Sequence, residues 1–301
     1  MTSDTADQAA ELAELLSGTG PWLVLTGAGM STASGIPDYR GPDGLRRVQP
    51  MTIQEFRSSS EARQRYWARS YVGWQRFDAA GPNPAHKAVT ALQRRQVIGS
   101  VITQNVDGLH QRAGTGRVIE LHGSLARVIC ERCGEETARR ALDDRMREAN
   151  PNFEVTSDEI RPDGDISLLA VDVARFIPPR CLVCDSDQLR PQVVFFGDAV
   201  AREVVAECFA LVADAPGLLV LGSSLQVMSG LRFVRRATAR GLPVVLVTRG
   251  RTRADDVVTH HLDGALEEIL PATVEVMSES DGLRTQAADT FSAITINSST
   301  G

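Results

Sequence analysis

The sequence predicts an α/β fold, a doubly wound sheet with a second, smaller module standing on it, and three observations carry that prediction. Short apolar runs at residues 22–25, 97–103, 218–221 and 244–247 are separated by helical or loop stretches, the rhythm of strands buried in a parallel sheet. The first run ends in Thr26-Gly27-Ala28-Gly29, a glycine turn of the kind that leads from such a strand into a helix. Two insertions break the rhythm: residues 44–80, rich in arginine and aromatics, and residues 126–190, which hold two Cys-x-x-Cys pairs in a long polar segment.

Taken in order, residues 8–17 carry Leu12, Leu15 and Leu16 at helical spacing and stop at Gly18 and Gly20, so they read as a short amphipathic helix. The glycines of Gly27-Ala28-Gly29 would let backbone N–H groups approach a pyrophosphate. A tight strand-to-helix connection would need the same residues. The dehydrogenase fingerprint is not met, because its third glycine falls on Thr32 and no second strand ending in an acid follows at the expected distance. Phe56, Tyr66, Trp67, Tyr71, Trp74 and Phe77 are expected to pack a helical module, with direct substrate contact as the alternative. Cys130, Cys133, Cys181 and Cys184 supply four thiolates, the tetrahedral set of a closed structural zinc site, with a redox pair or buried thiols as the alternative. Cys208 lies in an apolar helical stretch and is expected in the core.

Residues 134–180 hold eleven acids against seven arginines. Such a run reads first as a solvated face; alternatively it overhangs a cleft and biases it toward basic peptides. The expected large domain is discontinuous, from residues 8–43, 81–125 and 191–271, with the small domain from 44–80 and 126–190. Residues 1–7 and the Ser/Thr-rich stretch 272–301 are expected to be disordered tails.

Composition narrows the function classes. The 301 residues are 43% hydrophobic and 23% charged, which excludes disordered, collagen-like and coiled-coil chains. With 38 acidic against 32 basic residues the net charge is −6, so no general attraction for nucleic acid or an anionic membrane is expected. No apolar run reaches a membrane span, and the first basic residue is Arg40, too late for a targeting signal. A cytoplasmic location is expected.

More specific are Ser31-Thr32-Ala33-Ser34-Gly35-Ile36-Pro37-Asp38-Tyr39-Arg40-Gly41, Thr103-Gln104-Asn105-Val106-Asp107-Gly108-Leu109-His110 and Glu120-Leu121-His122-Gly123-Ser124. Val193-Val194-Phe195-Phe196-Gly197-Asp198 and Gly222-Ser223-Ser224-Leu225-Gln226-Val227 follow the cysteine pairs or flank them. In this order the segments resemble the sirtuin (Sir2) family of NAD-dependent protein deacylases, over about residues 10–270, and look like its class II subgroup.

The resemblance implies a Rossmann-type large domain and a small zinc domain, with NAD and an acyl-lysine protein or peptide meeting between them. It implies that NAD is consumed, nicotinamide is released and the acyl group passes to ADP-ribose. His122 matches the family's base, which deprotonates a ribose hydroxyl, and a neutral imidazole suits that task. Asn105 and Asp107, with Ser31 and Ile36, match the carboxamide pocket, and Gln104 the nicotinamide ribose contact. Gly27, Ala28, Gly29, Pro37, Asp38, Tyr39 and Arg40 match the cofactor turn and its closing loop. Gly222, Ser223, Ser224, Thr248, Arg249, Gly250 and Leu266 match later cofactor contacts, with Thr248 standing where the family has Asn. Val194, Phe196 and Gly197 match the substrate strip, and the four paired cysteines the zinc ligands. His110 is assigned to structure. Of the Tyr and Arg that select acidic acyl groups, the Tyr position reads Leu45 while Arg47 fills the other, so that preference is not expected. A mono-ADP-ribosyltransferase, a lipoamidase, and a non-catalytic NAD or ADP-ribose sensor remain as alternatives.

Overall fold

The apolar runs form strands in a computed structural model, which describes residues 3–18, 20–39, 50–157 and 161–297, with side chains up to residue 281. In chain order the elements begin α1 (Ser3–Leu16), β1 (Trp22–Thr26), α2 (Ile53–Ser58), α3 (Ser60–Ala79), α4 (Pro84–Arg94), β2 (Ile98–Thr103), α5 (Leu109–Arg112) and β3 (Val118–Glu120). The middle of the chain gives β4 (Gly123–Cys130), β5 (Glu136–Ala138), α6 (Arg139–Ala149), α7 (Ala170–Arg175) and β6 (Leu189–Val193). It closes with α8 (Arg202–Asp214), β7 (Leu218–Leu221), α9 (Met228–Ala239), β8 (Val244–Val247), β9 (His260–Leu262) and α10 (Leu266–Asn297).

Six strands pair in the order β3-β2-β1-β7-β8-β9, every pairing parallel. Numbered along the chain, that is the 3-2-1-4-5-6 order of a Rossmann sheet, whose direction reverses between β1 and β7. Alternation along the strands sends side chains to two cores. Trp22 and Val24 join Leu219 and Val245 beneath α1, α4 and α10, where Leu12, Leu16, Val89, Leu92 and Leu270 cover them. Leu23 and Leu25 face the other way with Val220 and Leu246, against Cys208 of α8 and Phe233 and Val234 of α9. Both faces are buried, so the strands lack polar alternation.

The two insertions meet in a third core. Phe56, Tyr66, Trp67 and Tyr71 from α2 and α3 pack on Val128, Leu142, Met146, Phe176 and Leu189. A three-stranded antiparallel sheet, β5-β4-β6, carries that core. Asn83, Thr52 and Ser59 cap α4, α2 and α3 through side-chain oxygens that accept backbone N–H groups.

Two expectations about the ends are corrected. Residues 3–7 are helical, and Thr5 and Ala9 are buried on the first turns of α1. The helix that begins at Leu266 continues through Pro271 to Asn297, and Ala272, Thr273 and Met277 are buried on it. The sequence reading weighed the polarity of this stretch. What holds its first half is the apolar strip of Ile269, Leu270 and Met277, which shares a core with Leu12 and Leu16.

Candidate active site

The site grows from the switch point of the sheet, where two turns press together. A Cβ on Gly222, whose φ is +61°, would lie 2.5 Å from the Met30 nitrogen; one on Gly27 would lie 2.7 Å from Cβ of Ser223. Glycine is therefore required at these two positions by backbone packing alone. The turns border a cavity of about 750 Å³ at the C-terminal ends of β1, β2, β7 and β8, where ligands bind in open α/β sheets.

Side chains on the floor of this cavity hold one another. Asn105 donates through Nδ2 to the Gly27 carbonyl and to Ser31 Oγ, both at 3.0 Å. Ser31 in turn donates to Asp107 Oδ2 at 2.7 Å, while Asp107 Oδ1 accepts the Leu109 N–H at 2.9 Å. Burial raises the Asp107 carboxyl above its usual range, and these two donors pull the other way. Gln104 donates to the Thr26 carbonyl at 3.1 Å and to Ser223 Oγ at 2.8 Å, joining the two turns.

His122 follows β3. Its Nδ1 lies 2.8 Å from the Gln104 carbonyl, which only accepts, so Nδ1 carries the proton. Nε2 is left with its lone pair and accepts from Ser229 Oγ at 2.8 Å. Burial lowers the His122 pKa, the Gln104 carbonyl opposes that, and the neighbouring Arg232 cation reinforces it. Burial and the Arg232 cation both favour the neutral imidazole, with its lone pair on Nε2. The main chain beside it is fixed by Val194 N–H on the His122 carbonyl at 2.8 Å. Phe196 stands edge-on to Tyr39, with ring centroids 5.7 Å apart.

Beneath the floor lies a second histidine pair. The rings of His86 and His110 are 4.9 Å apart, and His110 Nε2 meets Thr26 Oγ1 at 3.1 Å. Their other three ring nitrogens are buried without a hydrogen-bond partner among the described residues. Neither His86 nor His110 is among the residues that line the cavity.

Nearly every residue assigned to cofactor, substrate or base lines the one cavity. Gly250 does not, its N–H being held by Asp263 Oδ1 at 2.9 Å. Arg40, Leu45 and Arg47 lie outside the described residues. The four paired cysteines gather elsewhere, on the small sheet, with their sulfurs all within 4.8 Å of one another. Cys130 to Cys184 and Cys133 to Cys181 are both 3.6 Å. Zinc–sulfur bonds of about 2.3 Å in a tetrahedron need sulfurs about 3.8 Å apart, so the cluster fits that ion.

Sequence reasoning missed part of the lining. Ser229 and Arg232 open α9 just past the quoted Gly222–Val227 motif, and Tyr66, Leu125, Pro162, Asp163 and Asp165 form the roof on the small-module side. The sequence offered the roof only as second readings: that residues 134–180 overhang a cleft, and that aromatics of residues 44–80 touch substrate; within the former, Pro162-Asp163-Gly164-Asp165 is a turn-forming string.

This fold and site define a sheet-borne nucleotide cleft bordered by a thiolate metal module, and the chain belongs to the Sir2 family, whose family model matches residues 27–229. It is 54% identical over 234 residues to the NAD-dependent protein deacetylase 1 of Streptomyces coelicolor, covering 77% of this chain and 78% of that protein. It is 46% identical to the mitochondrial NAD-dependent protein lipoamidase sirtuin-4 of Bos taurus, covering 83% of this chain and 80% of that one. Among solved structures, a complex described as Sir2-p53 peptide-NAD+ superposes with a TM-score of 0.69 at 30% identity, covering 90% and 98% of the two chains. No helix of the described residues is long and apolar enough to cross a membrane.

Proposed function

We propose that this chain is an NAD-dependent protein lysine deacylase, acting on acylated lysines of protein or peptide substrates. The observation that carries the reading is the pairing of a neutral His122 with the Asn105–Ser31–Asp107 network in one cavity. Membership of a family whose relatives are named deacetylases supports it.

When bound, NAD would supply the acceptor: its ribose–nicotinamide bond breaks, the acyl group passes to a ribose hydroxyl as the lysine amine leaves, and one water is consumed. Asn105, Ser31 and Asp107 spend their side-chain donors on one another and on the Gly27 carbonyl, and so offer oriented acceptor oxygens to the carboxamide N–H groups of the leaving group before anything binds. The glycine turn and Ser223 border the space for the phosphates. Nε2 of His122 takes a proton from a hydroxyl held above it, the step for which a pKa below the ordinary histidine value keeps the base free at neutral pH. Val194, Phe196 and Gly197 form the strip along which an acyl-lysine backbone lies, and Tyr39 closes over Phe196. Zinc on Cys130, Cys133, Cys181 and Cys184 is structural, because four thiolates leave no open coordination position. In this reading residues 8–43, 81–125 and 191–271 make the cofactor domain, and 44–80 with 126–190 make the substrate-side domain.

The similarity to a protein lipoamidase favours one second reading, a lipoyl-lysine substrate in the same cavity. The test is nicotinamide release with acetyl-lysine, lipoyl-lysine and unmodified peptides of one sequence. Release that depends on the acyl group supports the deacylase, and the better peptide chooses between readings. Equal release without an acyl group, with ADP-ribose on protein, overturns both.

A further inference from the structure

The roof of the cavity has a chemistry the reaction does not use. Beside His122 the cavity is lined by Val106, Leu125, Val193 and Phe195, all apolar, by Tyr66, and by Asp163 and Asp165, whose charges act on the Tyr66 hydroxyl. Val193 belongs both to the cluster of Leu125 and to that of Tyr66 and Phe195. Tyr66 and Phe195 are in ring contact, with centroids 5.5 Å apart, so this wall is continuous. It is an apolar passage with a polar end.

The two carboxyls are built in. A Cβ on Gly73 of α3 would lie 2.1 Å from the Gly164 carbonyl oxygen, so the Asp163-Gly164-Asp165 turn is pressed onto that helix where only glycine permits it. Arg69 donates to the Ile166 carbonyl and pairs with Asp165 Oδ2 at 2.7 Å; Arg161 stands 3.5 Å from the same oxygen. Asp163 Oδ1 accepts the Asp165 N–H at 3.2 Å. Asp165 is 4% exposed, yet its Oδ1 has no hydrogen-bond partner among the described residues. Asp163 and Asp165 line the cavity, whereas Arg69 and Arg161 are not among its lining residues.

We propose that Asp163 and Asp165 form an acyl-end subsite, which selects lysine acyl groups whose far end donates a hydrogen bond, an amine or hydroxyl, and rejects those ending in a carboxylate. This rests on the deacylase reading and names its substrate class. The aliphatic part of such a chain lies against Leu125, Val193 and Phe195, and its donor satisfies Asp165 Oδ1. A methyl end leaves that oxygen desolvated and unpaired. A carboxylate end sets a third negative charge beside two acids. Burial pushes the Asp165 carboxyl up to about 7, with Arg69 opposing and Asp163 reinforcing, so it is ionised and a pure acceptor at pH 8.

The test uses four peptides of one sequence whose lysine carries a five-carbon acyl group: pentanoyl, 5-hydroxypentanoyl, 5-aminopentanoyl or glutaryl. Their affinities for the full-length zinc-loaded protein without NAD are measured at pH 8 by fluorescence anisotropy, and turnover with NAD is measured beside them. We expect the aminopentanoyl peptide to bind about 10-fold tighter than the pentanoyl peptide, with glutaryl weakest. In Asp165→Asn that advantage should fall to about twofold or less, and glutaryl should gain, since an amide can donate to it. A flat ranking in the wild-type protein overturns the proposal, as does glutaryl binding best, or a ranking that survives both Asp165→Asn and Asp163→Asn. The wild-type ranking decides the matter even if a variant fails to fold. An acetyl-lysine peptide run in parallel separates the two claims: if no acyl peptide is turned over while the binding ranking holds, the deacylase reading fails and the subsite stands.

Discussion

The floor and the roof of the cavity are built on opposite principles. On the floor, Asn105, Ser31, Asp107, Gln104, Ser223 and His122 are tied to one another or to main-chain groups before any ligand arrives. In the roof, the walls are apolar and the polar end keeps one carboxyl oxygen unpaired. The floor lies on parallel strands buried on both faces, whereas the roof rests on α3, through Gly73 and Arg69, in the small module of the three-stranded sheet. Chemistry common to every substrate belongs on the rigid part, and discrimination among substrates on the part whose polar groups still await a partner.

The largest break in that contrast is on the floor. His122→Ala should lower turnover by about 10²–10⁴-fold, the range of a general base, with NAD affinity nearly unchanged in a calorimetric titration. Loss of NAD binding in a well-folded variant would move His122 from proton transfer to binding. Next comes the metal. Chelation, or Cys130→Ser, should collapse the roof and abolish turnover while hydrogen exchange still protects β1, β2, β7 and β8. Equal loss of protection in both regions would mean that the floor depends on the roof. A smaller effect is expected from Ser31→Ala, which takes a donor from buried Asp107 and an acceptor from Asn105. A fall in kcat/KM of roughly 10- to 100-fold is expected, as for a buried polar group left unpaired. Unchanged kinetics would show that the network is bypassed once ligand binds.

The same contrast explains what could be read from the sequence. Gln104, Asn105 and Asp107 share one short string and His122 sits in another, because a strand end places neighbours in sequence side by side in space. The glycine turns, the zinc thiolates and the four central strands β1, β2, β7 and β8 were legible for that local reason. For Asp163 and Asp165 only the place of their segment over a cleft was legible, and that as a second reading. Their burial is set by Gly73 and Arg69 on a helix some ninety residues earlier, so locally the turn looks solvated. Strands β3 and β9, three residues each, exist through pairing with β2 and β8 and carry no pattern of their own. The start of α1 and the run of α10 past Pro271 were hidden likewise, since each helix covers the sheet alongside the other.

The smallest effect sharpens the comparison, because acid should push floor and roof in opposite directions. Burial lowers His86 to about 3 and His110 to about 4, from 6.5 in the unfolded chain. Below pH 6.5 the unfolded chain therefore binds protons that the folded floor refuses. The stability these histidines contribute is present above 6.5 and is lost as pH falls toward 4. Asp165 is the reverse case, raised from 3.8 to about 7 by burial and by Asp163 against Arg69 and Arg161. The folded roof takes its proton first, so this group adds stability as pH falls through 7. Between pH 8 and pH 6 each group should change stability by about 1 kcal/mol, the histidines downward and Asp165 upward. His86→Leu removes two unpartnered nitrogens and should gain on wild type as the pH drops. Asp165→Asn should lose ground over the same interval. Urea midpoints of the three proteins at the two pH values measure both slopes, and parallel slopes would mean that the two regions do not differ in how they hold buried charge.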